Sequence, residues 1–592
     1  MYHNAGELTL AQDNNSLYNC TYHSGGQLTG EPVTYPGYSS SPLVTLGFTY
    51  DAFGNRIGMT DSLGGSMGYT FNGENQMTGA SLAVSGTTSA TLSMSYDGLA
   101  RLSGTTMSSP SGATIASSDT YDNAGRLTNI SYKDGGSTLA SYTYGYNAAS
   151  QITSYQGLSY SLSYTCLQDG ELYGASGTLA GSTYSVTYNY DANGNRTSTS
   201  TDIGDTITNA TYTTATGNEM TGDGTNTYTF DNNGNTLTQT NTATGTVTHF
   251  TWDYENRLTD VKVVSSGGTV LNDEKFTYDV FGNRICVSLN GTQTLYTVYD
   301  GSNPYMDFNG SGSVTERYLY NPYAQNQFYG QVNRSGTTEW FVTDNLNSIR
   351  QVLSTSGTSL ATIVYDPFGQ LMTSLNSYAP RFLYTGGAYD AITGMYTDGA
   401  REENPLDGRW MSQDSTRVLI GHNPYEFTVA NLSEHENQKK IEKQNVGYRV
   451  EEWYLRYTDG PSEGKRIYID SLKQKIAHRD RLSEIPDGRA VIFARVEVTN
   501  NTESNILARI TLTLLQRNEE RESWFFVEGV PSAYVLVRPG ESRYINKSLS
   551  MDLNSQEWLR KFSLCMFYYQ ANDYRRHNPI PVQESECVFT VR

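Results

Sequence analysis

The chain is poor in cysteine and only moderately hydrophobic. Its hydrophobic share of 37% is low for a compact globule and normal for long sheets with one hydrated face. The few cysteines are too irregularly spaced for a disulfide framework or a zinc site. A disulfide between the last two and free buried thiols remain equal alternatives. The 5 Cys among 592 residues are Cys20, Cys166, Cys286, Cys565 and Cys587.

Long apolar runs and targeting patterns are also missing. No run approaches the roughly 20 residues that cross a bilayer, so no membrane span is predicted. Met1 leads directly into a repeat at Tyr2, without a signal-peptide pattern. Because a repeat array without a cap exposes an unpaired sheet edge, we expect the chain to be a fragment or to need an upstream shell region or partner chain.

A short phrase recurs along the first part of the chain: an aromatic residue, Asp or Asn, two variable residues, Gly and a strand-forming exit. With weaker copies between the clear ones, most successive aromatics are 18–28 residues apart, which suits two strands and two turns. Each repeat is therefore predicted to be one β-hairpin, paired edge to edge with its neighbours in one continuous sheet. The clearest copies, YDAFGNRI, YDNAGRLT, YDANGNRT, FDNNGNTL and YDVFGNRI, begin at Tyr50, Tyr121, Tyr190, Phe230 and Tyr278.

The phrase has the chemistry of a type I turn followed by a left-handed residue. The Asp side chain accepts hydrogen bonds from the turn, and Gly adopts a positive φ without a Cβ clash. We expect stacked copies to place each aromatic ring over that of its neighbour, each pair contributing roughly 0.2–1 kcal/mol. DANGN from Asp191 resembles half of a calcium-binding loop, but no Glu closes it. No metal or cofactor site is predicted.

Charge divides the sequence in two. Residues 1–431 contain 16 Lys+Arg and 37 Asp+Glu, whereas residues 432–592 contain 24 and 23. The acidic first part argues against nucleic-acid binding by the repeats, and so abrupt a shift indicates a domain boundary. We expect a repeat region at 1–335, a core-associated segment at 336–431, a linker at 432–446 and a C-terminal domain at 447–592.

Four phrases near the boundary carry a resemblance. They are TDNLNSIR ending at Arg350, YTGGAYDAITGMY ending at Tyr396, GRWMSQD ending at Asp414 and NPYEFTVAN ending at Asn431. In this order they resemble the DHLGSVR, YTGxxYDxxTGLY, GRFxSxDP and NxYxYxxN phrases of the RHS (rearrangement hotspot) or YD-repeat family. The resemblance extends over residues 2–431.

The resemblance implies a β-hairpin strip that curves into a cocoon-like shell, with the core-associated segment acting as a plug. It also implies a variable C-terminal domain, often a toxin, that a secretion apparatus delivers to neighbouring or host cells. The family includes polymorphic toxins of interbacterial competition, insecticidal toxin components and the animal teneurins. Secretion or a cell-surface location is therefore expected, and an immunity protein is a candidate partner of the terminal domain.

The chain departs from the family at its self-cleavage site. Many members cut between core and terminal domain with two carboxylates, one in SxDP and one in a later DPxGL phrase, because one must act as acid and the other as base. Asp414 matches the first without its Pro, and nothing after Asn431 matches the second. Glu402 and Glu403 also stand where the family has aromatics. We predict that the chain is not cleaved there and that Asp414, the single candidate catalytic residue, is a structural turn aspartate.

The C-terminal domain shows strand periodicity and little chemistry. Alternating apolar residues and turn signals predict an antiparallel β-sandwich, and no catalytic constellation was found. Enzymatic activity is left open. Two functions are weighed: a secreted delivery shell whose terminal domain is the effector, and a surface adhesion protein whose terminal domain binds a glycan or protein receptor. The nine predicted strands span 449–457, 465–470, 490–499, 506–515, 524–529, 533–538, 543–551, 562–570 and 587–592.

Overall fold

The chain forms two compact units, Met1–Leu432 and Ser433–Arg592. The four-part division expected from the sequence stays a prediction. The computed structural model describes residues 8–24, 26–35, 43–110, 112–167, 170–414 and 423–427, together with the backbone of the strands in the second unit.

The first unit begins with a 19-stranded antiparallel sheet. Consecutive strands pair with each other from β4 onwards, while β1 pairs with β2, and β2 and β3 both pair with β4. The strands are β1 (Leu10–Gln12), β2 (Leu17–Asn19), β3 (Thr21–Tyr22), β4 (Leu28–Thr34), β5 (Val44–Tyr50), β6 (Arg56–Asp61), β7 (Gly65–Phe71), β8 (Met77–Val84), β9 (Thr87–Tyr96), β10 (Leu102–Ser108), β11 (Thr114–Tyr121), β12 (Leu127–Asp134), β13 (Ser137–Tyr146), β14 (Ile152–Gly157), β15 (Tyr160–Cys166), β16 (Leu172–Leu179), β17 (Ser182–Tyr190), β18 (Arg196–Ile203) and β19 (Thr206–Thr211).

A second sheet of 15 strands follows in sequential order. The single continuous sheet expected from the repeats is thus divided in two between β19 and β20: β19 pairs with β18 and β20 pairs with β21, but no ladder joins β19 to β20 among the described residues. The strands are β20 (Thr213–Thr214), β21 (Met220–Gly222), β22 (Asn226–Phe230), β23 (Thr236–Asn241), β24 (Val247–Trp252), β25 (Leu258–Val264), β26 (Val270–Tyr278), β27 (Arg284–Leu289), β28 (Thr292–Asp300), β29 (Asn303–Asn309), β30 (Val314–Tyr320), β31 (Phe328–Asn333), β32 (Thr338–Thr343), β33 (Ile349–Leu353) and β34 (Ser359–Thr362).

A small third sheet ends the described part of the first unit. A 3₁₀ turn at Tyr384–Gly386 precedes it, and no helix in the described residues is long and apolar enough to cross a membrane. The strands are β35 (Ala388–Tyr389), β36 (Tyr396–Asp398), β37 (Arg401–Asn404) and β38 (Arg409–Trp410).

The repeated phrase forms the predicted turn. In the turn after β5, Asp51 Oδ1 accepts the N–H groups of Phe53 and Asn55 at 2.9 and 2.8 Å, and the N–H of Gly54 donates to the Asp51 carbonyl. Gly54 has φ +88°, and the register of β5 and β6 shifts at the turn. Asp191 caps its turn through the same bonds, so the turn interpretation of that calcium-like phrase is confirmed.

The turn tyrosines make hydroxyl and cation contacts in place of the expected ring stacking. The Tyr121 hydroxyl donates to the carbonyl of Leu102 in the preceding repeat at 2.7 Å, and the Arg101 guanidinium lies 4.2 Å from its ring centroid. Successive turns are two strands apart, about 9–10 Å, which exceeds the 4.5–7 Å of an aromatic pair. Within the described ranges no ring pair joins two of the turn tyrosines, so the predicted stacking is wrong. The same hydroxyl contact is made by Tyr96, Tyr146, Tyr190 and Tyr278.

Two buried ion pairs join the first sheet to the second. Arg317 donates from Nε and Nη2 to the two carboxylate oxygens of Asp61 at 2.8 and 3.1 Å, and Tyr305 donates to the same carboxylate. Arg56 makes a second two-bond pair with Asp300. Most strands of the first sheet alternate buried and partly exposed residues, whereas β29, β31 and β33 are buried on both faces. The main hydrophobic core therefore joins the buried face of the first sheet to the later strands of the second sheet.

The second unit contains two antiparallel sheets, which confirms the predicted sandwich-like class. β40, β39, β41 and β45 form one sheet; β43, β42, β46 and β47 form the other, with β44 paired to β42. All nine predicted strands are present. The register of β46 and β47 places Cys565 opposite Cys587. The strands are β39 (Val446–Tyr457), β40 (Arg466–Tyr468), β41 (Arg489–Asn500), β42 (Ile506–Asn518), β43 (Ser523–Pro531), β44 (Val535–Val537), β45 (Ser542–Asp552), β46 (Arg560–Gln570) and β47 (Glu586–Val591).

Candidate functional site

The candidate site lies where the last described residues of the first unit pack against the repeats. We call residues 381–414 and 423–427 the anchor segment. Phe382 stacks on Phe328 of β31 with ring centroids 4.3 Å apart, and its edge meets Tyr318 of β30. Arg381 Nε lies 3.2 Å from Asp307 Oδ2. The anchor segment is thus fixed to the buried strands of the second sheet by both apolar and charged contacts.

The turn that ends at Arg350 makes a further contact between the two sheets. Asp344 caps its own turn through Oδ1, and its Oδ2 accepts Arg350 Nε at 2.7 Å. The hydroxyl of Tyr155 in β14 donates to the same carboxylate at 3.2 Å. The Arg350 guanidinium also lies over the rings of Tyr155, Tyr160 and Tyr365. This turn therefore ties the second sheet to the first through one buried arginine.

The two glutamates that replace family aromatics are both buried. Glu402 pairs with Arg284 of β27 and accepts a hydrogen bond from Thr397 Oγ1 at 2.9 Å. Glu403 has no hydrogen-bond partner at Oε1, and desolvation raises its pKa well above the usual range. Desolvation, reinforced by Asp390 of the anchor segment, raises the pKa of Glu274 in β26 to about 8. Carboxyl groups thus fill the interface between the anchor segment and β26–β27.

Another carboxyl contact joins the anchor segment to β22. The Tyr228 hydroxyl lies 2.6 Å from Asp223 Oδ2 and 3.0 Å from Asp407 Oδ2. Asn404 Nδ2 also donates to Asp407 Oδ2. Burial, followed by the charge of Asp223, raises the pKa of Asp407 to about 7. The Tyr228 hydroxyl has one proton but lies between two carboxyl oxygens. Protonation of Asp407 supplies a second proton to this contact and therefore favours the docked arrangement.

Asp414, the residue singled out by the sequence, follows β38 and contacts Arg401 of β37 and Pro424. Its Oδ2 is 3.5 Å from Arg401 Nη1, and its N–H donates to the Pro424 carbonyl. Arg401 Nη2 donates to the carbonyls of Ser412 and Pro424 at 2.9 and 3.1 Å. These contacts position the chain around Asp414. The absence of cleavage at this residue stays a prediction. No group of three His, Cys, Asp or Glu in the described residues has metal-binding geometry.

Sequence reasoning missed the carboxyl contacts and the ion pairs between the sheets. Asp61 and Arg317 are 256 residues apart, and no local pattern links them. Glu402 did give a signal, since an acid at an aromatic position needs a buried partner, which is Arg284.

Comparison with known proteins agrees with this geometry. The model of the Teneurin YD-shell family matches residues 168–441. A structure titled "Crystal Structure of TcdB2-TccC3-Cdc42" superposes on 72% of this chain and 24% of that chain with a TM-score of 0.59 and 17% identity. Over these residues the chain is similar to the YD-shell family, and the structural match shows the same fold.

Curated proteins similar to this chain include bacterial tRNA nucleases and animal teneurins. It is 30% identical to the tRNA3(Ser)-specific nuclease WapA of Bacillus spizizenii over 170 residues, 28% of this chain and 7% of the relative. It is 27% identical to human Teneurin-4 over 149 residues, 24% of this chain and 5% of the relative. The chain therefore spans only a small part of these relatives. The structural likeness shows that the first unit has a shell-type fold.

Proposed function

We propose that this chain is the C-terminal part of a secreted RHS-type shell protein that carries a variable effector domain for delivery to other cells. The observation that carries the proposal is the anchor segment, which is docked through buried carboxyl and arginine contacts just before the chain passes into a separate unit. The named nuclease relatives and the Tc toxin structures support an effector role for the second unit.

A delivery shell needs partners beyond this chain. The matched structure contains TcdB2 and TccC3 together. By analogy we propose an upstream shell region or partner chain for residues 1–431, a secretion apparatus that exports the protein, and an immunity protein for the terminal unit. The repeats are acidic, so we propose no nucleic-acid partner for them.

Expression in bacteria tests the effector role. Residues 433–592, residues 1–432 and the full chain are induced separately in the cytoplasm of one strain. Growth arrest with 433–592, weakened or absent with the other two, is the expected result. Soluble, harmless expression of 433–592 would contradict the proposal.

The alternative is a cell-surface adhesion protein whose second unit binds a glycan or protein receptor. It is favoured by the two-sheet architecture of that unit and by the missing DPxGL phrase. Glycan-array or cell-surface binding by a harmless second unit would favour this alternative, whereas growth arrest without binding would exclude it.

We further propose that the chain stays intact and that Asp414 is a positioning residue held by Arg401. Intact-mass measurement after purification and prolonged incubation tests this. A single species at the full mass is expected for the parent and for Asp414→Asn. A fragment near the mass of residues 432–592 that forms in the parent and not in Asp414→Asn would assign catalysis to Asp414.

A further inference from the structure

Two of the five cysteines occupy opposite positions of one antiparallel ladder in the second unit. The register of β46 and β47 sets Cys565 opposite Cys587. β47 comes last in the strand order of its sheet, and its described pairing is with β46. Because opposite residues of an antiparallel pair belong to the same face of a sheet, the two cysteines share one face although they come from different strands.

The backbone spacing at this position suits a disulfide. Opposite residues of an antiparallel pair have Cα atoms about 4.5 or 5.5 Å apart, depending on whether they exchange hydrogen bonds. Disulfides bridge Cα atoms that are about 4.4–6.8 Å apart. Both spacings lie within that range, so the bond between these strands requires no large movement of the backbone.

The cysteines of the first unit have no such arrangement. Cys286 of β27 stands opposite Thr277 and Tyr296 in its two ladders, and Cys166 of β15 stands opposite Leu172. In the ladders of the described strands, no other cysteine faces a cysteine. The free thiols of the first unit are Cys20, Cys166 and Cys286.

A metal site fits the facing pair less well than a disulfide does. Structural zinc takes four ligands, mostly Cys and His. Within the described ladders, the nearest positions on the same face of the sheet are not metal ligands of this kind. They are Ser563 and Phe567 of β46, Thr511 of β42 and Thr590 of β47. The ladder therefore brings together two thiols without further ligands, which favours a bond between them.

We propose that Cys565 and Cys587 form a disulfide that holds the last strand to β46. The bond forms by exchange with a small-molecule disulfide such as oxidised glutathione. One cysteine thiolate attacks that disulfide and releases one glutathione thiolate, and the other cysteine thiolate then attacks the protein sulfur of the mixed disulfide and releases the second. The two protein thiols are oxidised, their two electrons reduce the glutathione disulfide, and their two protons end on the released glutathione.

The redox state of the surroundings then controls this strand. Disulfides persist outside cells and are reduced in a cytosol, so β47 is linked to β46 in the secreted protein and loses this link after entry into a cell. That consequence rests on the proposed delivery function. The bond itself does not, and it is tested on purified protein without a growth assay, so the two can fail separately.

Thiol counting on the purified full chain tests the bond. The protein is incubated with oxidised glutathione or with a reductant, then denatured, alkylated and weighed. We expect three alkylated cysteines after oxidation and five after reduction, together with a proteolytic fragment in which β46 and β47 are linked. Five alkylated cysteines after oxidation, retained glutathione on Cys565 or Cys587, or a linked fragment containing a cysteine of the first unit would overturn the proposal.

Hydrogen exchange tests the effect on the strand. Amides of β47 should exchange at least about tenfold more slowly in the oxidised than in the reduced parent, because the bond limits opening of this strand. Cys565→Ser should abolish the difference. Cys166→Ser is the matched control, because Cys166 also adjoins a register shift but faces Leu172, and it should retain the difference.

Equal exchange of β47 in the oxidised and reduced parent would show that the bond does not hold the strand. A difference that persists in Cys565→Ser would contradict the assignment of the bond to this residue. If Cys565→Ser does not fold, the comparison of the oxidised and reduced parent decides.

Discussion

At the scale of single residues, the repeats are specified by one left-handed position in each turn. Gly takes this position in most copies, for example Gly54 and Gly125 with φ of +88° and +81°. Where the phrase lacks Gly, another residue adopts the same conformation: Asn75, Ala100 and Ser150 have φ of 60°, 64° and 62°. The turn therefore also accepts residues for which a positive φ is energetically unfavourable.

Exchanging Ala and Gly at this position tests the account of the turn. Ala100→Gly should raise the free energy of unfolding of the first unit by about 0.5–1 kcal/mol, because it relieves the positive φ of an L-residue. Gly125→Ala is the reciprocal control. A Cβ there would meet no atom closer than 3.7 Å, so the positive φ alone is unfavourable and should lower the free energy of unfolding by about 1 kcal/mol. Chemical denaturation measures both; shifts of the same sign would contradict the account.

Tyrosine hydroxyls provide a second prediction at this scale. Tyr121→Phe removes the bond to the Leu102 carbonyl and keeps the ring under Arg101, so unfolding should become easier by about 0.5–1.5 kcal/mol. Tyr254→Phe is a control, because Tyr254 is 87% exposed. Equal stability of Tyr121→Phe and the parent would show that the ring alone matters.

Turn chemistry was predictable from the sequence because it is local. Asp51 and Gly54 lie within one phrase, and the hydrogen bonds of the turn follow from their residue types. The partner of Tyr121 was not predictable in the same way. It depends on the spacing of two strands between successive turns, a property of the assembled sheet.

At the scale of elements, burial favours the protonated form of three carboxyl groups in or beside the anchor segment. Burial raises the pKa of Asp407 to about 7, of Asp366 to about 6 and of Glu274 to about 8. Groups whose folded pKa is raised bind protons more tightly in the folded state. Their stabilising effect is complete below the unfolded pKa and is lost as the pH rises through the folded pKa.

The first unit should therefore unfold more easily at pH 8 than at pH 5. Asp407 alone should account for a decrease of about 2–3 kcal/mol over this interval. Asp407→Asn mimics the protonated carboxyl, so it should flatten this part of the pH dependence. Asp51→Asn, in an exposed turn, should leave the slope unchanged. Denaturation at several pH values measures the effect, and a parent that is more stable at pH 8 would contradict it.

At the scale of the whole first unit, buried ion pairs hold distant repeats together. Asp61 of β6 and Arg317 of β30 join the two large sheets, and their side chains are 0% and 3% exposed. Hydrophobic periodicity predicted the strands on each side, and the family resemblance predicted a shell. Neither identified the partners, because complementary charges from repeats far apart meet only after the sheets have formed.

Breaking one such pair should destabilise the unit strongly. Asp61→Asn leaves Arg317 buried without its anion and should cost about 3–5 kcal/mol. The control is Asp97→Asn, which removes the more exposed pair with Arg101 inside one turn and should cost much less. Similar decreases in the free energy of unfolding of the two variants would show that the ion pair between the sheets contributes no more to stability than an exposed pair.

The most direct test of the central claim is hydrogen exchange, followed by mass spectrometry, of the full chain and of Asp61→Asn. If repeats and anchor segment form one cooperative body, the substitution should speed exchange of the slowest amides in β6, β30 and β37 by the same factor, while amides of residues 446–592 stay unchanged. Faster exchange confined to β6, β7 and β30, with β37 unaffected, would contradict the claim that the anchor segment and the repeats are a single body.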